Sequence, residues 1–213
     1  MSNYLVHLSM SIEAGAVTGI VEPDEHTEQY IKKRAHRDYK LFKSDVDARY
    51  SAIYEYDCTK IEPQVAIPNS PGNVKPVSKV RGVKVDQAVI GSCTNGRLSD
   101  LKEAAKVLKG KRVHPGVRLL ITPGTPRIYL QAEEEGLIKT FIEAGAAVIA
   151  PSCGACFGIN YGALDEGEVA ISTTNRNFIG RMGHPTSKVF LASPAVVAAS
   201  AIKGAIAHPE EVV

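Results

Sequence analysis

Cys93, Cys153 and Cys156 are the residues of this chain best suited by type and spacing to chemistry. Cys93 stands in Gly91-Ser92-Cys93-Thr94-Asn95-Gly96-Arg97, directly after the run Val85 to Ile90. The other two form a C-x-x-C in Pro151-Ser152-Cys153-Gly154-Ala155-Cys156-Phe157-Gly158, directly after the apolar Ala146 to Ala150. Both segments read as glycine-bearing turns at the carboxyl ends of buried strands, where open α/β sheets place their ligand sites. Three thiolates converging there can hold an iron–sulfur cluster with one iron left free of protein. An iron with an open position is a Lewis acid as well as an electron carrier.

Other readings of the same cysteines are weaker. Cys93 alone would be a small buried hydrophobe. A redox pair of the thioredoxin kind opens a helix after the first strand of its fold, with aromatic or proline residues around the cysteines, unlike Gly154-Ala155. Structural zinc takes four protein ligands, and the chain has no second C-x-x-C or H-x-x-x-H to complete them. Cys58, in Tyr56-Asp57-Cys58-Thr59, is expected to be a half-buried spectator.

A second constellation is Thr173-Thr174-Asn175-Arg176-Asn177-Phe178-Ile179-Gly180-Arg181. Two arginines five apart, with an amide beside them, suit a carboxylate clamp, because guanidinium groups bind planar carboxylates bidentately. Alone, such a turn would be solvated surface. At the sheet edge shared with both cysteine turns, it places a carboxylate receptor beside an electrophilic metal.

The elements that must position these turns follow from the pattern. Strands are predicted at Val83 to Ile90, Val117 to Thr122, Ala146 to Ala150, Val169 to Thr173 and Val189 to Ala192. Helices are predicted at Arg97 to Lys109, Pro126 to Glu135, Ile138 to Ala144 and Pro194 to Ala207. Apolar strands alternating with amphipathic helices predict an α/β fold: a three-layer, parallel-rich sheet with helices on both faces. Before it, residues 1–77 are assigned to a smaller α/β region, with a helix start at Ser9 to Ala16, a short strand at Gly19 to Val21 and a helix from Glu25 to His36. Pro63, Pro68, Pro71, Gly72 and Pro76 mark the boundary at about 68 to 80, so that residues 78–213 form the cysteine-bearing domain.

Composition excludes several classes. A net charge of +2 gives no reason to expect nucleic acid or a membrane surface as partner. No apolar run approaches the ~20 residues needed to span a bilayer, and the start, Met1 to His7, lacks the features of a signal peptide. Four cysteines are too few for a disulfide scaffold and favour metal or redox chemistry in a reducing compartment, so a cytoplasmic location is expected.

Gly-Ser-Cys-Thr-Asn, Pro-Ser-Cys-Gly-Ala-Cys and Thr-Thr-Asn-Arg-Asn-Phe-Ile-Gly-Arg, in this order, resemble the aconitase superfamily, and within it the large subunits of the isopropylmalate dehydratase and homoaconitase type. The resemblance runs from about Ser9 to the C-terminus and includes Glu22-Pro23-Asp24-Glu25 and Gly183-His184-Pro185. It implies a [4Fe–4S] cluster held by Cys93, Cys153 and Cys156. It also implies substrate contacts from Asn175, Arg176 and Arg181, and an active-site carboxylate from the Ile-Glu-Ala-Gly motif, here Glu13. The implied reaction is reversible dehydration of a hydroxy dicarboxylate, such as isopropylmalate, homocitrate, citramalate or dimethylmalate.

The departures from the family also carry expectations. Ser9 stands where the family has an asparagine, and residues 1–8 are unlike it. By the resemblance, a first domain with an Asp/His pair, and a swivelling domain or small subunit with a serine base and another arginine, lie outside this chain. It is therefore expected to be inactive alone, to act with a small swivel-domain subunit, and to self-associate through apolar faces left uncovered. The alternative is a cluster-bearing binding or sensor module, which would have no use for Asn175, Arg176 and Arg181.

Overall fold

The computed structural model describes residues 10–212. The chain divides into two compact units between Ile61 and Glu62.

In the first unit a 3-10 turn, Ser11–Ala14, ends at Gly15 in the left-handed region. The preceding Ser9 lies outside the described residues. Helix α1 spans Glu25–Lys32; Asp24 caps it by accepting from the Thr27 N–H at 2.7 Å, and Glu28 pairs with Lys32 one turn on. The sequence predicts this helix to His36, but it buries no residue. With no apolar face to hold it, the helix stops where the Arg34 guanidinium hydrogen-bonds the Tyr30 carbonyl. The strand expected at Gly19–Val21 does not form: no ladder partner pairs with it among the described residues. Cys58 is exposed rather than half-buried, in the 3-10 turn Cys58–Lys60 within a stretch that buries nothing.

The second unit is built on one seven-stranded sheet. Its strands are β1 (Gln64–Ala66), β2 (Val74–Pro76), β3 (Gln87–Ile90), β4 (Arg118–Ile121), β5 (Ala147–Val148), β6 (Val169–Ser172) and β7 (Lys188–Ala192). Their spatial order is β2-β1-β7-β6-β3-β4-β5. β7, β6, β3, β4 and β5 are mutually parallel, while β1 pairs antiparallel with both β2 and β7. The proline-rich stretch expected as a linker is thus the β1–β2 hairpin. Its prolines fall in the turn and on the edge strand β2, where a missing N–H leaves no ladder bond unmade. Val65 and Val77, both fully buried, anchor the hairpin in this unit, which is why the division falls at residue 61 and not at 77.

Five helices cover the sheet: α2 (Leu98–Leu108), α3 (Pro126–Glu134), α4 (Leu137–Ala144), the short α5 (Gly154–Phe157) and α6 (Pro194–Lys203). In α2 the buried Leu101, Ala104, Ala105 and Leu108 repeat at i, i+3, i+4 and i+7, one stripe of an amphipathic helix. α6 carries Pro194 at its first turn and ends at the left-handed Gly204. Successive strand residues point to opposite faces. Ala88, Ile90, Leu119 and Ile121 join the core under α2, α3, α4 and α6, whereas Val89, Leu120, Ala170 and Val189 join a second core with Ala155, Leu164 and Met182. Both faces are covered as an α/β fold requires. The second cover is thin, consisting of α5 and the segments around Leu164 and Met182.

At the amino ends of the strands, fully buried Gln87 donates to the Gly162 carbonyl (2.7 Å) and accepts from Arg118 Nε (3.1 Å). Arg118 also pairs with Glu168 at 2.8 Å, and that guanidinium holds the Glu168 carboxyl below its ordinary range. This network ties the starts of β3, β4 and β6 to the segment that crosses the second face. Among the described residues no helix is long and apolar enough to cross a membrane.

Phe141, on α4, is the largest fully buried side chain of the first core. Phe141→Ala is expected to cost about 3–5 kcal/mol of unfolding free energy, read from the denaturant midpoint of the chain. Lys139→Ala, on the exposed side of the same helix, is expected to change it by less than about 0.5 kcal/mol. Equal effects of the two would contradict the placement of α4.

Candidate functional site

The order of the parallel strands reverses at β3. From there the chain builds β4 and β5 on one side, then returns to place β6 and β7 on the other. Ligands of open α/β sheets bind outside the carboxyl ends at such a switch point. The turn after β3 carries Cys93 and the turn after β6 carries Asn175, Arg176 and Arg181, so these two turns flank the reversal.

The Cys93 turn is clamped on both sides. The Gly91 N–H donates to Thr173 Oγ1 at 2.8 Å. Gly91 has φ +98°, and a Cβ there would overlap the Thr122 carbonyl at the end of β4. At Gly96 a Cβ would stand 2.6 Å from both the Ser92 and Thr122 carbonyl oxygens, and the Gly96 carbonyl accepts from the Gly124 N–H at 2.8 Å. Only glycine permits both approaches. Between them, Ser92 Oγ accepts from the N–H of Asn95 (3.2 Å) in a compact side-chain turn. Cys93 projects from this turn and is exposed.

The arginine turn is held by the cysteine turn. Asn175 Oδ1 accepts from Thr94 Oγ1 and from Asn95 Nδ2, each at 2.9 Å, and Asn95 Nδ2 also donates to the Thr173 carbonyl. With its oxygen engaged twice, Asn175 presents its amide N–H groups, which suits it to donate to an anionic oxygen. Asn177, 1% exposed, donates to the Ile67 and Val189 carbonyls and so fastens the turn to β1 and β7. Thr94, Asn95 and Asn177 are the bracing residues that reading by residue type passes over. Their signal is position, since each sits beside a singled-out residue in a turn rich in Thr and Asn.

Cys153 and Cys156 reach the same region by another route. β5 lies at the sheet edge, and the chain leaves it to recross the second face towards β6. On the way, Cys153 precedes α5 and Cys156 lies within it, while Ala155 packs into the second core beside Val89 and Leu120. Arg181 Nε donates to the Cys156 carbonyl at 3.0 Å, and its guanidinium stacks 4.7 Å from the Phe157 ring. Cys153 is exposed and Cys156 is half-buried; all the cysteines are free thiols.

Burial pushes the Cys156 thiol up, and the Arg181 guanidinium opposes this, while the Cys93 and Cys153 thiols push it up further. Cys93 and Cys153 therefore both lie within electrostatic reach of Cys156, and Arg181 is the counter-charge beside it. Of the residues singled out by sequence, the second unit brings together Cys93, Cys153, Cys156, Asn175 and Arg181, with Arg176 in the turn between the last two. Glu13 belongs to the first unit. It is half-buried in the Ser11–Ala14 turn.

Replacing Arg181 by Gln removes the charge that favours the Cys156 thiolate. Cys156 is then expected to alkylate several-fold more slowly at a fixed, mildly alkaline pH, with Cys153 as internal reference, followed site by site by mass spectrometry. An unchanged ratio of the two rates would contradict the contact.

The sequence profile of the aconitase family (aconitate hydratase) matches residues 8–81 and 74–204. The chain is 57% identical over 211 residues to the 3-isopropylmalate dehydratase large subunit of Thermodesulfovibrio yellowstonii, covering 99% of this chain and 50% of that protein. It is 59% identical over 207 residues to large subunit 1 of Pyrococcus furiosus, covering 96% and 49%. To the large subunit of Halothermothrix orenii it is 58% identical over 212 residues, covering 100% and 50%. The chain thus spans about half the length of these relatives, and it belongs to the aconitase family.

Proposed function

We propose that this chain is the cluster-bearing part of a hydro-lyase large subunit that dehydrates and rehydrates a hydroxy dicarboxylate of the isopropylmalate kind. The observation that carries the reading is that Cys93 and Cys153 lie within electrostatic reach of Cys156, which Arg181 contacts, near the switch point of the sheet. The names of its relatives support it, and they suggest a separate small subunit as partner and a place in leucine biosynthesis.

Thiolate is the protein ligand that iron–sulfur clusters take, and this part of the chain carries three free thiols. Zinc–sulfur bonds of about 2.3 Å would draw the sulfurs within about 4 Å of one another. Among the described residues no group of three His, Cys, Asp or Glu side chains is placed to hold a metal ion as the structure stands. A cluster gives each thiolate its own iron and keeps the sulfurs apart. Cys93, Cys153 and Cys156 would hold three irons of a [4Fe–4S] cluster. When bound, such a cluster supplies a Lewis acid at its fourth iron, which polarises a substrate hydroxyl.

The chain's own residues have separable tasks in this reading. Arg181 lowers the cost of ionising half-buried Cys156, which must lose its proton to bind iron. Arg181 and Arg176 receive substrate carboxylates, and Asn175 donates an amide N–H to a substrate oxygen. Phe157, against the Arg181 guanidinium, shields that charge from water and strengthens its hold on a carboxylate. Glu13 is the carboxylate proposed to hold a proton. A sensor would need the thiols but none of Asn175, Arg176 and Arg181.

Anaerobic reconstitution of the chain with iron and sulfide is expected to give the broad visible absorption of thiolate-bound iron. Serine at any one of positions 93, 153 or 156 is expected to abolish it, and Cys58→Ser to leave it unchanged. Retention of the absorption in Cys93→Ser, or its loss in Cys58→Ser, would overturn the ligand assignment.

A further inference from the structure

The second unit carries a hollow at the amino end of β3, the end opposite the Cys93 turn. There, residues 82–85 lead towards the strand and run antiparallel to the chain leaving α6, with Lys84 facing Ala205. Arg81, Lys203 and Glu211 line the hollow together with Ala205, Ile206 and Ala207, and its volume is about 370 Å³. Small-ligand sites have volumes of roughly 300–1,000 Å³. A smaller hollow of about 160 Å³ adjoins it, sharing Arg81 and Glu211 and adding Glu210.

Main-chain bonds hold this place in shape. The Gly82 N–H donates to the Ile206 carbonyl and the Ile206 N–H to the Val83 carbonyl, each at 2.8 Å. The Arg81 N–H donates to the Val77 carbonyl at 2.9 Å, so the root of that side chain is set. Glu211 Oε1 accepts from the His208 N–H at 2.9 Å, which orients the carboxylate, and Oε2 stands 4.0 Å from Lys203 Nζ. Arg81 is exposed, and its guanidinium has no hydrogen bond or ion pair among the described residues. The lining thus carries both signs. A simple anion drawn by Arg81 meets the carboxylates of Glu210 and Glu211, and a simple cation meets Arg81 and Lys203. A small molecule with one charge of each sign satisfies both sets. The rest of the lining is aliphatic: Ala205, Ile206, Ala207 and the stems of Arg81 and Lys203.

We propose that this hollow binds an α-amino acid with an aliphatic side chain. Arg81 takes its carboxylate, Glu211 takes its ammonium, and its side chain lies along Ala205, Ile206 and Ala207. The free guanidinium offers a carboxylate two parallel N–H donors. Exposed ion pairs hold loosely, so binding is expected in the millimolar range. The site is at the far end of β3 from Cys93 and uses neither the thiols nor the arginine turn.

The test is titration of the chain with L-leucine, followed through the amide resonances of Gly82, Ala205 and Glu211 by nitrogen–proton NMR. The expected result is a saturable shift of those resonances, with those of Cys93 and Asn175 unmoved. Isocaproate lacks the ammonium, isoamylamine lacks the carboxylate and glycine lacks the side chain. Each is expected to bind at least tenfold more weakly than L-leucine. Arg81→Gln is expected to weaken L-leucine binding at least tenfold at an unchanged melting temperature, since its side chain has no partner to lose. Glu211→Gln keeps an oxygen for the His208 N–H and is expected to weaken binding as much. Any of four results would overturn the proposal: no saturable shift, shifts at Cys93 or Asn175 in place of the hollow, a truncated analogue binding as well as L-leucine, or parent-like binding by either variant. Such a failure would leave the ligation by Cys93, Cys153 and Cys156 and the proposed hydro-lyase reaction untouched.

Discussion

The contact on which the site depends is the seating of the Cys93 turn between the ends of β4 and β6. Two glycines make it possible, since any side chain at Gly91 or Gly96 would strike the Thr122 carbonyl. The hydrogen bond from the Gly91 N–H to Thr173 then ties the turn to the strand that leads to the arginines. Asn175 completes the tie by accepting from both Thr94 and Asn95. The Cys93 thiol, proposed to bind metal, and the Asn175 amide, proposed to bind substrate, are thereby fixed by one set of hydrogen bonds. Neither can move without the other, which is the preorganisation a reacting site requires.

The topology explains how cysteines sixty residues apart in sequence come together. β5 is the sheet edge, and the connection from it must recross β4 and β3 to reach β6. This crossing runs over the second face, where Ala155 and Leu164 pack on Val89 and Leu120 and where Gln87 grips the Gly162 carbonyl. Cys153 and Cys156 lie on that path. The thin cover of this face leaves Phe157 and Ile179 more than half exposed beside Arg181, so the thiols sit on an open surface instead of in a closed pocket. Burial opposes ionisation of Cys156, and Arg181 alongside reduces that penalty without cancelling it.

The parallel part of the fold was legible because its signals are local. Buried strands such as Gln87–Ile90 and Arg118–Ile121 are short apolar runs, and α2 shows one clean stripe. The first unit was read less well because α1 buries nothing and residues 19–21 find no partner among the described residues, so propensity alone had to decide. The β1–β2 hairpin was hidden by its prolines, which read as a linker unless the edge position of β2 is known. At the site, residue type pointed to the cysteines and arginines. The braces Thr94, Asn95 and Asn177 were not legible, since their importance lies in partners eighty or more residues away. Where Glu13 stands relative to the thiols is a matter of long-range placement on which a short motif is silent.

The central claim is that three thiolates leave one iron of a cluster without a protein ligand. Mössbauer spectroscopy of the chain reconstituted anaerobically with isotopically enriched iron tests it most directly. The account predicts one iron with parameters distinct from the other three, and that this iron alone shifts when 2-isopropylmalate is added. Four equivalent irons, or a spectrum that the dicarboxylate leaves unchanged, would contradict it.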